Sequence, residues 1–312
     1  MHKINAIRGG LYGLLIGDAV GVPYEFHAPS QIPAKHLIEM TPPDDFDRSH
    51  PSVAVGTWSD DGSQALCLLA SLLENQAVDA EDLMQKFADW YIEGYLAINR
   101  KTFDCGVQTA DAIRKYVLHQ LPANSVANDD EYSNGNGSLM RVLPLVLWHN
   151  GSDDDLIADA FAQSHITHAH LRAKLCCALY CLWAKYVLHG DDIETSYQRA
   201  VDFLYKKYVN NTPYLNELNQ HIKPFDFSEV TGSGYVVDCL KTAYVALQEP
   251  TFKAVIQRAI QFGNDTDTTA CVAGGIAGLY FGFDGIDQDW VQTLLGKEIV
   301  DEMLAQLFAT RT

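Results

Sequence analysis

The stretch FGNDTDTTACVAGGIAGLY, residues 262–280, decides how the chain is expected to fold. Its second half places Ala270, Gly274 and Gly278 four residues apart, on one face of a helix. A glycine inside a helix costs about 1 kcal/mol relative to alanine, so this face needs a physical reason. Close approach of the helix to a second backbone is a sufficient reason.

A matching face occurs near the start of the chain, where Gly10, Gly13, Gly17 and Gly21 follow one another at spacings of 3, 4 and 4. We therefore predict that the two segments form central helices whose backbones approach closely. The functional alternative is that the glycines bring neighbouring loops within reach of a ligand. The two interpretations are compatible, and both stay open at this point.

Most of the remaining chain has the periodicity of amphipathic helices, with apolar residues at i, i+3 and i+4. The segments with this pattern are residues 66–74, 82–93, 107–118, 156–163, 170–188, 193–208, 235–247 and 252–262. Strong alternating strand patterns are missing, and residues 28–54, rich in Pro, Asp and Ser, indicate a long loop. We predict an all-α fold of about twelve helices that forms one domain over residues 1–312.

Charge and composition exclude some classes of partner. The 312 residues include 22 Lys and Arg against 40 Asp and Glu, a net charge of −18, and 47% of them are hydrophobic. The chain can therefore bury a core, but it is unsuited to nucleic acid or anionic membranes, which need Lys and Arg to neutralise phosphate. A small anionic ligand bound locally is not excluded. We expect no nucleic-acid partner, no membrane partner and a monomer.

The cysteines indicate a cytoplasmic protein. Seven is an odd number, and five of them lie in apolar helical segments, which is typical of reduced, buried thiols. Cys176, Cys177 and Cys181 lie in CCALYCLWA, where core packing is a simpler explanation than metal binding. The N-terminal residues lack the pattern of a cleavable signal, and the most apolar run, 270–282, is too short to span a bilayer.

A first group of oxygen-bearing side chains lies in GTWSDDGS, residues 56–63, directly before an apolar helical run. Ser59, Asp60 and Asp61 fall at the predicted helix start. A capping residue followed by acids that complement the helix dipole is the simpler explanation. The alternative is a set of three hard oxygen donors at one point.

The second group, Asp265, Asp267 and Thr268, precedes the small-residue helix. Capping uses one side chain, and two carboxylates at the buried end of a central helix are costly unless cations neutralise them. Oxygen ligands without thiolates suit Mg²⁺, Mn²⁺ or Ca²⁺. The pattern Asp265-x-Asp267-x-Thr269 also matches the nucleophile loop of haloacid-dehalogenase phosphatases, but that loop follows a strand, and here a helical pattern precedes it.

Three weaker features complete the set. Glu25 ends the glycine-faced segment, where GDAVGVPYE spans residues 17–25. The residues SNGNGS, 133–138, precede a helix-like run, so their N–H groups could cradle a phosphate, although a turn is the simpler explanation. The residues HITHAH, 165–170, suggest either a zinc site or a helix cap with a polar contact.

Five motifs now stand in a defined order: GDAVGVPYE, TWSDDGSQ, GNGSLMRVLPL, a Thr167-His168 pair and GNDTDTTACVAGGIAGLY. Over residues 8–282 they resemble the ADP-ribosylglycohydrolase family, which includes the activating glycohydrolase of dinitrogenase reductase. The resemblance implies a single compact orthogonal multi-helix bundle with a di-metal site at helix N-termini. It also implies two divalent cations, Mg²⁺ or Mn²⁺, and hydrolysis of the N- or O-glycosidic bond between ADP-ribose and a modified side chain.

The resemblance also assigns roles by position. The implied metal ligands are Ser59, Asp60, Asp61, Asp265, Asp267 and Thr268. The implied substrate-binding residues are Asn134, Gly135, Asn136, Gly137, His168 and Gly106. The implied catalytic residues are Asp60, Asp61, Asp267 and Glu25. Two positions depart from the family pattern, because Gly62 stands where Thr is common and Asn264 where Gly is usual; neither removes a ligand, but both can alter the cleft.

The resemblance favours release of ADP-ribose from arginine side chains of an ADP-ribosylated protein, although the residues do not distinguish arginine from serine linkage. One alternative is hydrolysis of another ADP-ribosyl or ribosyl small molecule. Another is a non-enzymatic binding protein that retains the fold, and the complete set of aspartates disfavours it. Five carboxylates and two divalent ions leave a charge of −1, so we expect metal to stabilise the protein as well.

Overall fold

Two antiparallel helices form the centre of the computed structural model, which describes residues 3–310. Helix α1 (Lys3–Gly21) lies along helix α12 (Thr266–Phe281) over most of its length. A Cβ atom added to Gly13 would lie 2.3 Å from the carbonyl oxygen of Gly274, a distance that no side chain tolerates. The two backbones therefore touch, as the small-residue faces predicted.

The glycine face of α1 differs from the prediction by one residue. A Cβ atom on Gly9 would lie 2.2 Å from the carbonyl oxygen of Gly278, whereas one on Gly10 would meet the side chain of Leu279. The face that contacts α12 consists of Gly9, Gly13, Gly17 and Gly21. Because the helices are antiparallel, this contact brings the last turn of α1 against the first turn of α12, where Gly21 lies beside Asp267.

Twelve further helices surround this pair. They are α2 (Asp60–Asn75), α3 (Ala80–Glu93), α4 (Val107–His119), α5 (Leu143–Trp148), α6 (Asp153–His165), α7 (Leu171–Leu188), α8 (Ile193–Lys207), α9 (Thr212–Asn216), α10 (Val236–Ala246), α11 (Phe252–Ile260), α13 (Gln288–Thr293) and α14 (Lys297–Ala309). The described residues thus hold 14 helices rather than about twelve, because short helices such as α9 and α13 have too few residues to show a period. No β-strand occurs within residues 3–310, which confirms the all-α fold.

The predicted long loop over residues 28–54 contains only two short 3₁₀ turns, Pro29–Gln31 and Lys35–Leu37. Its last part returns to the 3₁₀ turn Val22–Tyr24 that follows α1, where Ser49 donates through its backbone N–H to the carbonyl oxygen of Pro23 at 2.9 Å. The loop therefore carries His50 back to the C-terminal end of α1. Of the helices described, none is both long enough and apolar enough to cross a membrane.

The core is one hydrophobic cluster that extends from Ile7 in α1 to Leu307 in α14. Helix α7 contributes Cys176, Cys177 and Cys181, all with 0% of their surface exposed. All seven cysteines are free thiols, and six are buried. The prediction that the three cysteines of α7 belong to the core is confirmed.

Candidate functional site

The C-terminal end of α1 and the first turns of α2 and α12 meet at a cavity of about 310 Å³. One side of it, here called the acidic wall, consists of Glu25, Asp60, Asp61, Asp104 and Asp265. A second group of lining residues, here called the histidine wall, consists of Gly135, Asn136, Gly137 and His168. Gly106 and Thr268 also line the cavity.

The first turn of α2 is held by a carboxylate from α1. Asp18 accepts hydrogen bonds from the backbone N–H groups of Ser59, at 3.0 Å, and Gly62, at 2.8 Å. Ser59 is the N-cap residue, and its hydroxyl accepts from the backbone N–H of Asp61 at 3.3 Å. Capping therefore accounts for Ser59, as the simpler explanation predicted, and leaves the carboxylates of Asp60 and Asp61 free to face the cavity.

The first turn of α12 is arranged differently. Asp265 occupies the N-cap position, but its side chain makes no capping hydrogen bond. Its Oδ2 instead accepts from the side-chain amide of Asn136 at 2.9 Å, which ties the acidic wall to the histidine wall. The backbone N–H of Thr268 donates to Oδ1 of Asp267 at 2.9 Å, and the Thr268 hydroxyl lies 3.4 Å from Oδ2 of Asp61.

Two buried carboxylate oxygens in this cluster have no hydrogen-bond partner in the described part of the chain. They are Oδ1 of Asp61 and Oδ2 of Asp267, on side chains that are 1% and 0% exposed. A buried acceptor without a donor is expensive, so these oxygens need a cation or a proton. Ligand oxygens of Glu25, Asp265 and Asp267 all lie within 4.8 Å of one another. A hard divalent cation fits this donor set.

The electrostatics of the cluster favour the same conclusion. Burial, with the charges of Asp104, Asp265 and Asp61 adding to its effect, raises the pKa of Glu25 to about 11. Burial also raises the pKa values of Asp60, Asp61 and Asp267 well above their usual range, with neighbouring carboxylates adding to the effect. Without a cation, the folded protein can hold these groups only by protonating part of them.

Three site residues were not predicted from the sequence. Asp18 caps α2, Asp104 lines the acidic wall, and His50 lies 2.8 Å from Glu25 between its Nε2 and Oε2. Ligand atoms of Glu25, His50 and Asp104 also lie within 4.8 Å of one another. The cluster thus holds seven carboxylates rather than five. Two divalent cations would therefore leave more negative charge at the site than the expected −1. Burial raises the pKa of Asp18 to about 7, which relieves part of this excess.

A sequence signal was available for two of these residues. Asp18 interrupts an apolar, glycine-faced helix, where a charged side chain must find donors. Asp104 lies two residues before Gly106, in a loop that the family resemblance assigns to the site. His50 gave no local signal, because a long loop brings it to Glu25.

The histidine wall differs in part from expectation. The N–H of Gly135 donates to Oε1 of Gln108 at 2.8 Å, and the N–H of Asn136 donates to the carbonyl oxygen of Gly234 at 3.0 Å. These two N–H groups are therefore not available to a phosphate. The expected helix also begins later, because α5 starts at Leu143 and the preceding residues form turns. Asn134 does not line the cavity, since its amide contacts Glu131 and His170.

The zinc alternative for residues 165–170 does not fit the geometry. The three histidine rings have separate partners: the carbonyl oxygen of Asn124 for His165, the Thr167 hydroxyl for His168 and the Asn134 side chain for His170. Within residues 3–310, the two groups of side chains that could hold a metal include none of these histidines.

Both departures from the family pattern have local explanations. Asn264 has a φ of 60°, in the left-handed region that glycine adopts freely and that asparagine tolerates better than most residues. Its backbone pairs with Phe26 and His27, which holds the segment after Glu25 in place. Gly62 faces the core, where an added Cβ would lie 2.8 Å from Leu15 and from Trp58. Gly62 therefore does not shape the cavity.

Comparison with known proteins agrees with the fold and the motifs. The chain matches the model of the ADP-ribosylglycohydrolase family over residues 2–312. It is 29% identical to the ADP-ribosylarginine hydrolase Tri1 of Serratia proteamaculans (strain 568) over 308 residues, 98% of this chain and 80% of that protein. It is 27% identical to the ADP-ribosyl-[dinitrogen reductase] glycohydrolase of Rhodospirillum rubrum, over 95% of each chain.

Two further similarities extend this agreement. The chain is 27% identical to the ADP-ribosylhydrolase ARH3 of Homo sapiens, over 98% of this chain and 93% of that protein. A solved structure described as an ADP-ribosylglycohydrolase-related protein complex superposes with a TM-score of 0.78 at 26% identity, and the match covers 100% of both chains. From the fold, the acidic helix ends and these matches, we conclude that the chain belongs to the ADP-ribosylglycohydrolase family.

Proposed function

We propose that this protein is a metal-dependent hydrolase that releases ADP-ribose from ADP-ribosylated arginine side chains. The observation that carries the proposal is the pair of buried, unpartnered oxygens of Asp61 and Asp267, which come from two helices and belong to the carboxylate cluster behind one cavity. The single hydrophobic cluster from Ile7 to Leu307 supports residues 1–312 acting as one domain. The arginine linkage is favoured because relatives named ADP-ribosylarginine hydrolase align over nearly the whole chain.

The acidic wall and the residues behind it would hold two divalent cations, Mg²⁺ or Mn²⁺. The proposed ligands are Ser59, Asp60, Asp61, Asp265, Asp267 and Thr268. When bound, the cations would neutralise the carboxylates and supply Lewis acidity beside the distal ribose. Asp18 would not bind a cation itself. It would position the ligands, because it fixes the helix turn that carries Asp60 and Asp61.

The chain's own carboxyl groups would move the protons. Hydrolysis breaks the bond between C1″ and the arginine nitrogen, a water oxygen bonds to C1″, and a proton passes to the departing nitrogen. Glu25 suits proton transfer because its carboxyl group lines the cavity, and burial favours the protonated form of that group. His50 holds that carboxyl in place from the outer side. Asp60, Asp61 and Asp267 are the other proposed catalytic residues.

The histidine wall would position the substrate. Asn136 holds Asp265 through its amide, so its own place depends on the acidic wall. Gly135 and Gly137 leave space for their neighbours. A Cβ on Gly137 would lie 2.9 Å from Cε1 of His168, too close for the ring to keep its place. Gly106 also lines the cavity, and apart from its two chain neighbours no residue within 3–310 has an atom within 4 Å of a Cβ added to it, so it leaves that part of the cavity open.

The test is to offer peptides ADP-ribosylated on arginine or on serine and to measure released ADP-ribose. We expect release from the arginine-linked peptide with Mg²⁺ or Mn²⁺ and none in EDTA. Faster release from the serine-linked peptide would overturn the linkage. Equal release in EDTA would overturn the metal dependence. Binding of ADP-ribose without turnover of either peptide would favour the non-enzymatic alternative.

A further inference from the structure

Arg141 is an unusual residue in this fold, because its guanidinium group is completely buried without a direct carboxylate partner in the described part of the chain. It donates to Oε1 of Gln64 at 2.8 Å, to the side chain and backbone of Gln163, and to Oγ1 of Thr167 at 2.7 Å. The ring of Phe87 covers it at 4.4 Å. A buried cation with only neutral acceptors is costly, which indicates a role beyond packing.

The hydrogen-bond pattern determines which ring nitrogen of His168 carries the proton. A guanidinium group only donates, so Oγ1 of Thr167 must accept from Arg141. The single hydroxyl proton of Thr167 is then free to bind Nδ1 of His168, 2.8 Å away. The opposite tautomer would leave this buried hydroxyl proton without an acceptor among the described residues, which is costly. The neutral ring therefore carries its proton on Nε2.

Nε2 of His168 faces the cavity. It lies beside the histidine-wall glycines, because Cβ atoms added to Gly135 and Gly137 would lie 3.5 Å and 3.2 Å from it. The hydrogen bonds of residues 3–310 give Nε2 no protein acceptor. Burial, with a contribution from the charge of Arg141, lowers the pKa of His168 to about 3, so the ring stays neutral under ordinary conditions.

We propose that Arg141 and Thr167 are positioning residues that fix His168 as an Nε2–H donor to an acceptor oxygen of the ADP-ribosyl group. The proposal rests on the proposed function and deepens it. It makes the histidine wall selective for an oxygen with a lone pair at that point, and a donor group there would be rejected.

The same guanidinium also orients a residue of the acidic wall. Because Oε1 of Gln64 accepts from Arg141, its amide nitrogen turns towards Asp60 and donates to Oδ2 at 3.1 Å. One buried cation thereby directs a hydroxyl towards His168 and an amide towards Asp60. Arg141 therefore positions side chains of both walls.

The experiment combines nitrogen NMR of histidine-labelled protein with binding and kinetics of Thr167→Val. The His168 ring signals are assigned by their loss in His168→Asn. In the wild type we expect them to show a protonated Nε2 and an unprotonated Nδ1. Thr167→Val removes the hydroxyl at nearly constant volume. It should mix the tautomers, weaken ADP-ribose binding about tenfold and raise KM about tenfold with kcat nearly unchanged.

Two controls separate positioning from packing. Thr167→Ser retains the hydroxyl and should restore the wild-type ring signals and KM. Ser196→Ala removes a buried hydroxyl in α8 that has no hydrogen-bond partner within residues 3–310, and it should change neither.

Two results would overturn the proposal: Nδ1 protonated in the wild type, or unchanged ring signals and KM in Thr167→Val. Failure of the proposed function would look different, because no ADP-ribose would be released from any peptide whatever the tautomer. Arg141→Lys is a second variant, expected to shift the ring signals in the same direction as Thr167→Val.

Discussion

The two walls of the cavity are completed in different ways. On the acidic wall and directly behind it, carboxylates from α1, α2 and α12 lie together, and buried oxygens of Asp61 and Asp267 lack donors. On the histidine wall, the polar groups are largely satisfied within the protein, and one N–H of His168 remains directed at the cavity. Among the described residues, the acidic wall and the carboxylates behind it thus have hydrogen-bond acceptors without a donor, and the histidine wall has a donor without an acceptor.

The two walls therefore contribute differently to the free energy of binding. Under the proposed function, the acidic wall is unfavourable until a cation binds, so we expect cation binding and folding stability to be coupled there. The histidine wall is already complete as folded, so it contributes recognition at little cost in reorganisation. The two walls should therefore respond differently to charge removal, to metal and to pH.

The largest expected effect is on activity, from removing one charge of the acidic wall or of the carboxylates behind it. Asp61→Asn and Asp267→Asn keep the side-chain shape but remove a ligand charge that no other residue replaces. We expect each to lower the rate of ADP-ribose release at least about 1,000-fold, comparable to the loss of a central electrostatic group in other enzymes. Circular dichroism should show wild-type helix content.

The matched control is Asp202→Asn, at an exposed aspartate of α8. It should leave the rate unchanged. Wild-type turnover in either Asp61→Asn or Asp267→Asn would remove these residues from the proposed ligand set.

The next effect is on stability, from adding metal. Millimolar Mg²⁺ or Mn²⁺ should raise the melting temperature above that in EDTA by several degrees, since a ligand at 100 times its Kd stabilises by about 2.7 kcal/mol. Asp267→Asn should lose this increment and melt higher than the wild type in EDTA, because a buried, unpaired charge is gone. Differential scanning fluorimetry measures both. Identical melting curves with and without metal would contradict the coupling.

The third effect is a pH dependence on the histidine wall. Folding lowers the pKa of His168 to about 3, so the unfolded chain binds its proton first as pH falls below the usual 6.5. The unfolded state is thereby favoured, and His168 alone contributes a loss of up to about 1.4 kcal/mol per pH unit between pH 6 and 4. The buried carboxylates, whose pKa values folding raises, act in the opposite direction, so the measured quantity is the difference between two proteins. His168→Asn should gain stability relative to the wild type as pH falls through this range. Urea unfolding in EDTA at several pH values measures it.

The matched control for this slope is His119→Asn, at an exposed side chain. It should follow the wild-type curve. If His168→Asn also followed that curve, His168 would not be buried in the neutral form.

The sequence predicted the acidic helix ends because local rules failed to explain them. Two carboxylates before an apolar helix exceed what capping needs, and this excess identified Asp265 and Asp267. The glycine faces predicted the central helix pair for a similar reason, although Gly9 rather than Gly10 makes the contact. Patterns that violate a local preference therefore carried information about tertiary contacts.

Residues placed by long-range contacts could not be predicted in this way. His50 reaches Glu25 through a loop without periodicity, and Arg141 lies in a segment where an arginine reads as an ordinary helix residue. The Asn-Gly repeat predicted a loop at the site but not its hydrogen bonds, because the acceptors Gln108 and Gly234 come from elsewhere in the chain. Their partners become known only once the helices are assembled.

The contact between the glycine faces of α1 and α12 also determines which mutations the protein can tolerate. Gly9 lies twelve residues before Gly21, about 18 Å along the helix from the carboxylates. A methyl group on Gly9 has no space, so it must increase the distance between the axes of the two helices. A scan of single substitutions should therefore reveal a line of intolerant positions, spaced by four, that leads away from the cavity towards the opposite end of the molecule.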